Sequence, residues 1–207
     1  MLIELKPITL KDKAWMDKIL LAENTQSSDF NFGNIYVWDK LYQQRISQCG
    51  NRLLINLHIN GKNAFSFPVG TGDLTQSIDS LSAFARANGE PLRIFGISEK
   101  NRLLLESLYP GRLEFTADVN CFDYIYKSER LATYSGKALQ AKKNHCNHFE
   151  AEHQWHFTPL TRELIPLCTQ MLSSWFQDNR FRLEQSAVFE HEAILRAFSA
   201  YEALSLE

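Results

Sequence analysis

Between Arg45 and Pro68 three β-patterned runs follow one another with only turn residues between them, and this stretch limits the folds open to the chain more than any other. Arg45 to Cys49, Arg52 to Ile59 and Ala64 to Pro68 are the runs; Gly50-Asn51 and Asn60-Gly61 supply the positive φ that tight hairpin turns demand. Such short connections cannot carry a crossover, so the strands form an antiparallel meander. That reading excludes an all-helical body and a purely parallel sheet.

The flanking patterns extend it. Leu2 to Leu5 alternates and stops at Pro7, which predicts a strand, and Thr9 with Asp12 three residues on caps a helix to about Leu21. A second helix over Asn34 to Tyr42 puts Ile35, Trp38, Leu41 and Tyr42 on one side, after a polar Ser27-Ser28-Asp29 lead-in. Beyond the meander, Asp73 opens a helix with Leu74, Ile78, Leu81 and Ala85 at helical spacing, closed by Gly89 before Pro91. Leu92 to Phe95 is a predicted strand; Ser98 caps a helix through Leu103, Leu104 and Leu108 that Pro110-Gly111 ends; Leu113 to Thr116 and Phe122 to Tyr126 are predicted strands. The order β α α β β β α β α β β predicts a mixed α/β (α+β) domain over residues 1–127.

From Ser128 to His153 the composition turns polar and basic, with Ser135 to Phe149 a helix or a partly ordered linker, so residues 128–154 read as a connecting segment. Trp155 to Thr158 alternates again, Thr161 caps a helix with Leu164, Cys168, Met171 and Trp175 in one stripe, and a last helix runs from about Ala187 to Leu204. This β α α order copies the start of the first domain, so residues 155–207 read as an incomplete repeat of it.

Composition narrows the setting. A chain of 207 residues that is 44% apolar can bury one core and part of another. The formal net charge of -2 gives no overall field toward nucleic acid or anionic lipid, so such a partner needs a local patch. No apolar run approaches the roughly 18–20 residues of a membrane span, and the start alternates like a strand where a secretory signal would be basic and then apolar. Four scattered cysteines without a CxxC pair fit free thiols, so a cytoplasmic location is expected. The stripe from Leu164 to Trp175 needs a cover, and a homodimer is one way to provide it.

Two local patterns carry candidate chemistry. Phe67-Pro68-Val69-Gly70-Thr71-Gly72 joins a strand to a helix start, where glycine N–H groups can approach a phosphate; the competing reading is a glycine turn with Asp73 as helix cap. Between Lys127 and Lys143 stand Lys127, Arg130, Lys137, Lys142 and Lys143 against the single acid Glu129, either an anion-holding segment or a solvated helix face. Ser135-Gly136-Lys137 is not a P-loop, since its first glycine would fall at Leu131. His145, Cys146, His148, His153 and His156 match no zinc spacing, so no metal is expected. No nucleophile triad stands out. Asp123 and Tyr124 are an acid–base candidate, with aromatic packing as the competing role of Tyr124 and Tyr126.

The element order through Tyr126 is similar to that of the GNAT fold of acyltransferases, whose Gln/Arg-x-x-Gly-x-Gly/Ala loop receives acyl-CoA; here Gly70 and Gly72 fit and Phe67 replaces the Gln or Arg. Longer segments resemble a bacterial family related to the C-terminal domain of phosphatidylglycerol lysyltransferase: Ser28 through Trp38, Pro91 through Ile97, Phe122 through Tyr126 and Ser135 through Phe149. The resemblance implies two tandem GNAT-like domains, the second incomplete here. It implies aminoacyl transfer from aminoacyl-tRNA to a lipid or peptide acceptor, without a covalent enzyme intermediate. It also implies that Lys137, Lys142, Lys143, Asn144 and His145 hold phosphates of tRNA or of an anionic headgroup. Acyl-CoA is the alternative donor, as in an N-acetyltransferase, and a binding module without catalysis is the third reading. No catalytic residue is assigned.

Overall fold

The structure, a computed structural model, describes residues 3–59, 61–180 and 184–206, without the side chain of Gln185. Ten α-helices and a six-stranded mixed sheet are present among them. The chain divides into two compact units, Met1–Thr116 with Arg162–Glu207, and Ala117–Thr161.

In the first unit the predicted meander is present: β2 (Arg45–Cys49), β3 (Arg52–Ile59) and β4 (Lys62–Ser66) pair antiparallel in sequence order. Gly50 and Gly61 take φ of 58° and 75° at its turns. The first strand differs from expectation. Leu2 lies outside the described residues, and the ladder sits at β1 (Lys6–Pro7), paired with Ile46 and Arg45. Pro7 is tolerated because β1 is the sheet edge, where a missing N–H breaks no second ladder. Thr9 donates through its N–H and Oγ1 to the Asp12 carboxylate (2.9 and 2.8 Å), turning the chain into α1 (Lys13–Glu23).

After Ser66 the register slips. Asn56 faces Phe65, whereas Leu53 faces Val69, so one extra residue is inserted before β5 (Val69–Gly70). That is a β-bulge at Phe67-Pro68, where proline removes a donor and bends the strand. Parallel to β4 runs β6 (Ile94–Phe95), extended by the Phe67 N–H donating to the Phe95 carbonyl at 2.9 Å. Between them, α4 (Leu74–Ala87) starts at Asp73, whose side chain accepts from the Gln76 N–H. An antiparallel meander, then a bulge, then a helix and a parallel strand make up the mixed sheet of a GNAT-like fold.

The core explains why β3 is buried along most of its length. Leu53, Ile55 and Leu57 point into the main cluster with Met16 and Ile19 of α1, Phe32 of α2 (Phe32–Val37) and Leu105 of α5 (Glu99–Leu108). Leu54 on the opposite face meets Phe65 and Leu81 in a smaller cluster. Each such side chain contributes roughly 1.5–3 kcal/mol by leaving water. Asn56, buried among them, is satisfied by donating from Nδ2 to the Ala64 carbonyl.

The expected long helix near the end is split at Ala200 into α9 (Gln185–Ser199) and α10 (Tyr201–Leu204). Ala200 and Leu204 enter the main core. α9 packs on α2 and on α3 (Asp39–Tyr42), within the same unit. The predicted helix from Thr161 begins as a 3₁₀ turn and continues as α8 (Ile165–Asn179), on which Met171 and Trp175 remain exposed.

Three predicted strands are corrected. Leu113–Thr116, Phe122–Tyr126 and Trp155–Thr158 alternate in sequence, yet none enters a ladder among the described residues. Alternation prepares a segment for a sheet, but a strand exists only where a neighbouring edge accepts its hydrogen bonds. The unit Ala117–Thr161 consists of α6 (Ser128–Thr133), α7 (Gln140–Glu152), 3₁₀ turns at Val119–Cys121 and Lys137–Leu139, and chain without regular structure, and none of its residues is buried.

Candidate functional site

The glycine loop is built by the bulge. Once Pro68 breaks the ladder, β5 turns toward the β2–β3 hairpin and Gly70 adopts φ 126°. A Cβ there would lie 2.1 Å from the Asn51 carbonyl oxygen, and one at Gly72 would lie 3.0 Å from the Asn51 nitrogen, so close backbone approach requires both glycines. Arg52 locks the loop by donating to the Pro68 and Gly72 carbonyls, each at 2.7 Å. Burial pulls the Arg52 pKa down, opposed by the charges of Glu23, Asp73 and Cys49. The Gly70 N–H, the donor that a phosphate would use, is taken by Glu23 Oε2 at 3.0 Å. Asp73 occupies the Gln76 N–H at the start of α4. Two carboxylates therefore stand where an incoming polyphosphate would seek backbone donors, which favours the packing role of this loop. Glu23 and Arg52 were not singled out from the sequence, because nothing local signals that positions 23 and 52 meet residue 70.

The basic candidates lie in the other unit. Lys137 is in a 3₁₀ turn, and Lys142, Lys143, Asn144 and His145 follow in the first half of α7, all exposed. Asn144 accepts from Gln140 Nε2 at 2.9 Å. Lys142 and His145, three apart, share a helix side, while Lys143 and Asn144 point away from it. The charge order opposes the helix dipole: the cations precede or open α7, and Glu150 and Glu152 close it. Helix stability does not account for this arrangement. It does leave exposed lysine ammonium groups around the start of α7, able to hold phosphate oxygens.

His148 lies 3.4 Å from Glu152, and Phe149 packs on His153 and Trp155. Asp123 and Tyr124, the acid–base candidate, lie on extended chain with Tyr124 88% exposed and stacked on Tyr126, without the enclosure that acyl transfer needs. No cluster of three or more metal-ligating side chains occurs among the described residues. No helix there is long and apolar enough to cross a membrane.

A polar cluster that sequence reasoning missed joins α2, α3 and α9. The Arg196 guanidinium lies 4.0 Å from the Tyr36 ring centre and 3.5 Å from Asp39. Burial raises the Asp39 pKa against the opposing pull of Arg196, the Gln44 N–H and Arg45. Elsewhere on α9, the His191 ring lies tilted at 34° against Phe176 with ring centres 4.5 Å apart, next to a cavity of about 90 Å³ lined also by Trp175 and Glu190. Residues 36, 39 and 196 share no sequence pattern, so only the packing of α9 shows the cluster.

No curated protein matches the chain. A solved structure described as a conserved protein of unknown function from Bacteroides thetaiotaomicron VPI-5482 is similar, with a TM-score of 0.91 and 29% identity. The match covers 98% of this chain and 69% of that one. The family model described as phosphatidylglycerol lysyltransferase, C-terminal, matches residues 22–207, and the chain belongs to that family.

Proposed function

We propose that this chain serves aminoacyl transfer from aminoacyl-tRNA to a lipid or peptide acceptor, with the lysines around the start of α7 holding phosphates of the tRNA or of an anionic headgroup. Membership of the lysyltransferase-like family is the observation that carries this reading. The exposed lysines, placed against the helix dipole, support it. In such a reaction the protein supplies position and electrostatic stabilisation of the developing oxyanion, and no side chain needs to form a covalent intermediate.

The division into a GNAT-like domain (1–127), a basic connector (128–154) and the opening of a second GNAT-like domain (155–207) belongs to the same proposal. Packing of α9 and α10 into the first unit supports a variant of it, in which the last helices complete the first core. A cytoplasmic location and a homodimer covering the α8 stripe are carried with it.

Filter binding of charged tRNA over a salt series tests the proposal. Affinity should fall with rising salt, and Lys142→Ala with Lys143→Ala should reduce the log–log slope by about 1 for each phosphate that is no longer neutralised. Affinity indifferent to salt and to both substitutions sinks it. Acyl-CoA as donor, held by Gly70 and Gly72, is the second reading. The GNAT-like bulge and loop favour it, Glu23 and Asp73 oppose it, and calorimetry with acetyl-CoA decides it: no heat removes it.

A further inference from the structure

Within the first unit α8 packs on α9, and the cavity of about 90 Å³ between them is walled by Trp175, Phe176 and Leu172 on one side and by Glu190, His191 and Ile194 on the other. The aminoacyl-transfer reading makes no use of it. One atom at this cavity lacks an explanation in the packing: His191 Nε2 is buried and has no hydrogen-bond partner among the described residues. Buried polar atoms are ordinarily paired, so an orphan on a ring that lines a cavity points to a partner inside it. Phe176 holds that ring at 4.5 Å between centres, and Trp175 and Glu190 are exposed, so the cavity is reached from solvent.

The walls select the occupant. A cavity of this size is well below the roughly 300–1,000 Å³ that hold drug-sized molecules, so it takes a small one. Water suits it poorly, because each molecule needs about two to four polar partners, and Leu172, Ile194 and the face of Phe176 offer none. A hydrocarbon would leave Nε2 unpaired, and an anion would meet the Glu190 carboxylate. An alkylammonium ion meets every wall. Its N–H donates to the Nε2 of a neutral imidazole, its charge faces Glu190 and the aromatic rings, and its short stem lies on the aliphatic side chains.

We infer that the α8–α9 cavity is a binding site for a small primary alkylamine in its protonated form, with His191 Nε2 as hydrogen-bond acceptor and Trp175, Phe176 and Glu190 around the cation. Glu190 is exposed, so water screens its pull, and the selectivity comes from the ring nitrogen and the aromatic faces. A ligand of so few atoms binds with roughly millimolar affinity. Trp175 also ends the apolar stripe of α8, so a second copy of the chain is the competing cover for its ring.

Nuclear magnetic resonance of the isotope-labelled 207-residue chain tests this at about pH 8, where an ordinary imidazole is neutral and an alkylamine is protonated. Butylammonium should move the His191 ring-nitrogen and Trp175 indole signals together and to saturation, and leave those of His145 and His148 in place. Butanol, which lacks the charge, and tetramethylammonium, which lacks an N–H, should each bind about tenfold more weakly. Glu190→Gln, at an exposed position, should weaken butylammonium about threefold, and His191→Phe should remove its advantage over tetramethylammonium while the signals of α1 and β3 stay in place. Butanol or tetramethylammonium binding the parent chain as tightly as butylammonium overturns the inference, as does the absence of any shift, or equal affinities in the parent and both variants. Trp175 shifts that follow protein concentration and not the amine overturn it too, and assign the ring to a second copy. No readout involves tRNA or the α7 lysines, so this inference and the transferase proposal fail separately.

Discussion

Ala64–Val69 and Phe122–Tyr126 are both short, apolar and suited to a sheet, but every residue of the first is buried and none of the second is. The difference lies in their neighbours. Ala64–Val69 emerges from a two-residue turn beside β3 and later receives β6 on its other side, so its backbone groups are satisfied and its side chains covered. Phe122–Tyr126 has the same intrinsic preference without a described edge to join. Burial is conferred by partners, and β-propensity measures fitness for a pleated surface, not possession of one.

The largest effect should separate the two regions outright. Phe32→Ala, which empties a site 2% exposed in the main core, should cost about 3–5 kcal/mol in urea unfolding, while Tyr124→Ala should stay within about 0.5 kcal/mol. Comparable losses at the two positions would break the contrast. Next comes the bulge loop. Gly70→Ala should cost about 2–3 kcal/mol, since its Cβ would collide with backbone, and Gly72→Ala should cost less.

Acid unfolding sharpens the comparison through Asp12. Burial alone would raise its pKa, but bonds from Lys6, Trp15 and Thr9 outweigh that and hold it at about 2, below the ordinary 3.8. A pKa lowered on folding stabilises the protein above about pH 4, and the contribution disappears as pH falls toward 2. With Lys6 half exposed, it should amount to about 1–2 kcal/mol. Asp12→Asn should be less stable at pH 7 by that amount and show a correspondingly flatter loss between about pH 4 and 2; parallel pH curves for the two proteins would refute it. The smallest effect belongs to α7, where Lys142→Ala with Lys143→Ala should change stability by no more than about 0.5 kcal/mol, in the stabilising direction, because the cations oppose the dipole. A larger loss by thermal melting would mean that the lysines serve structure.

Much of the first unit was legible in advance for local reasons. The meander, α1, α4 and α5 announce themselves through caps at Thr9, Asp73 and Ser98 and glycines at positions 50, 61 and 89. The candidate sites were legible only as sets of residues. Gly70 and Gly72 could be named from spacing, but Glu23 on the Gly70 N–H, 47 positions away, could not. Nor could the meeting of Arg196 with Tyr36 and Asp39.

By itself the sequence determined where the chain turns, where helices start, and the antiparallel hairpins, because each is decided within a few residues by backbone sterics and local hydrogen bonds. Tertiary structure alone decided which alternating segments became strands, which carboxylate took the loop's N–H, and that Ala200 and Leu204 close the first core. Those outcomes depend on the meeting of residues distant along the chain, which is fixed only when the whole core packs.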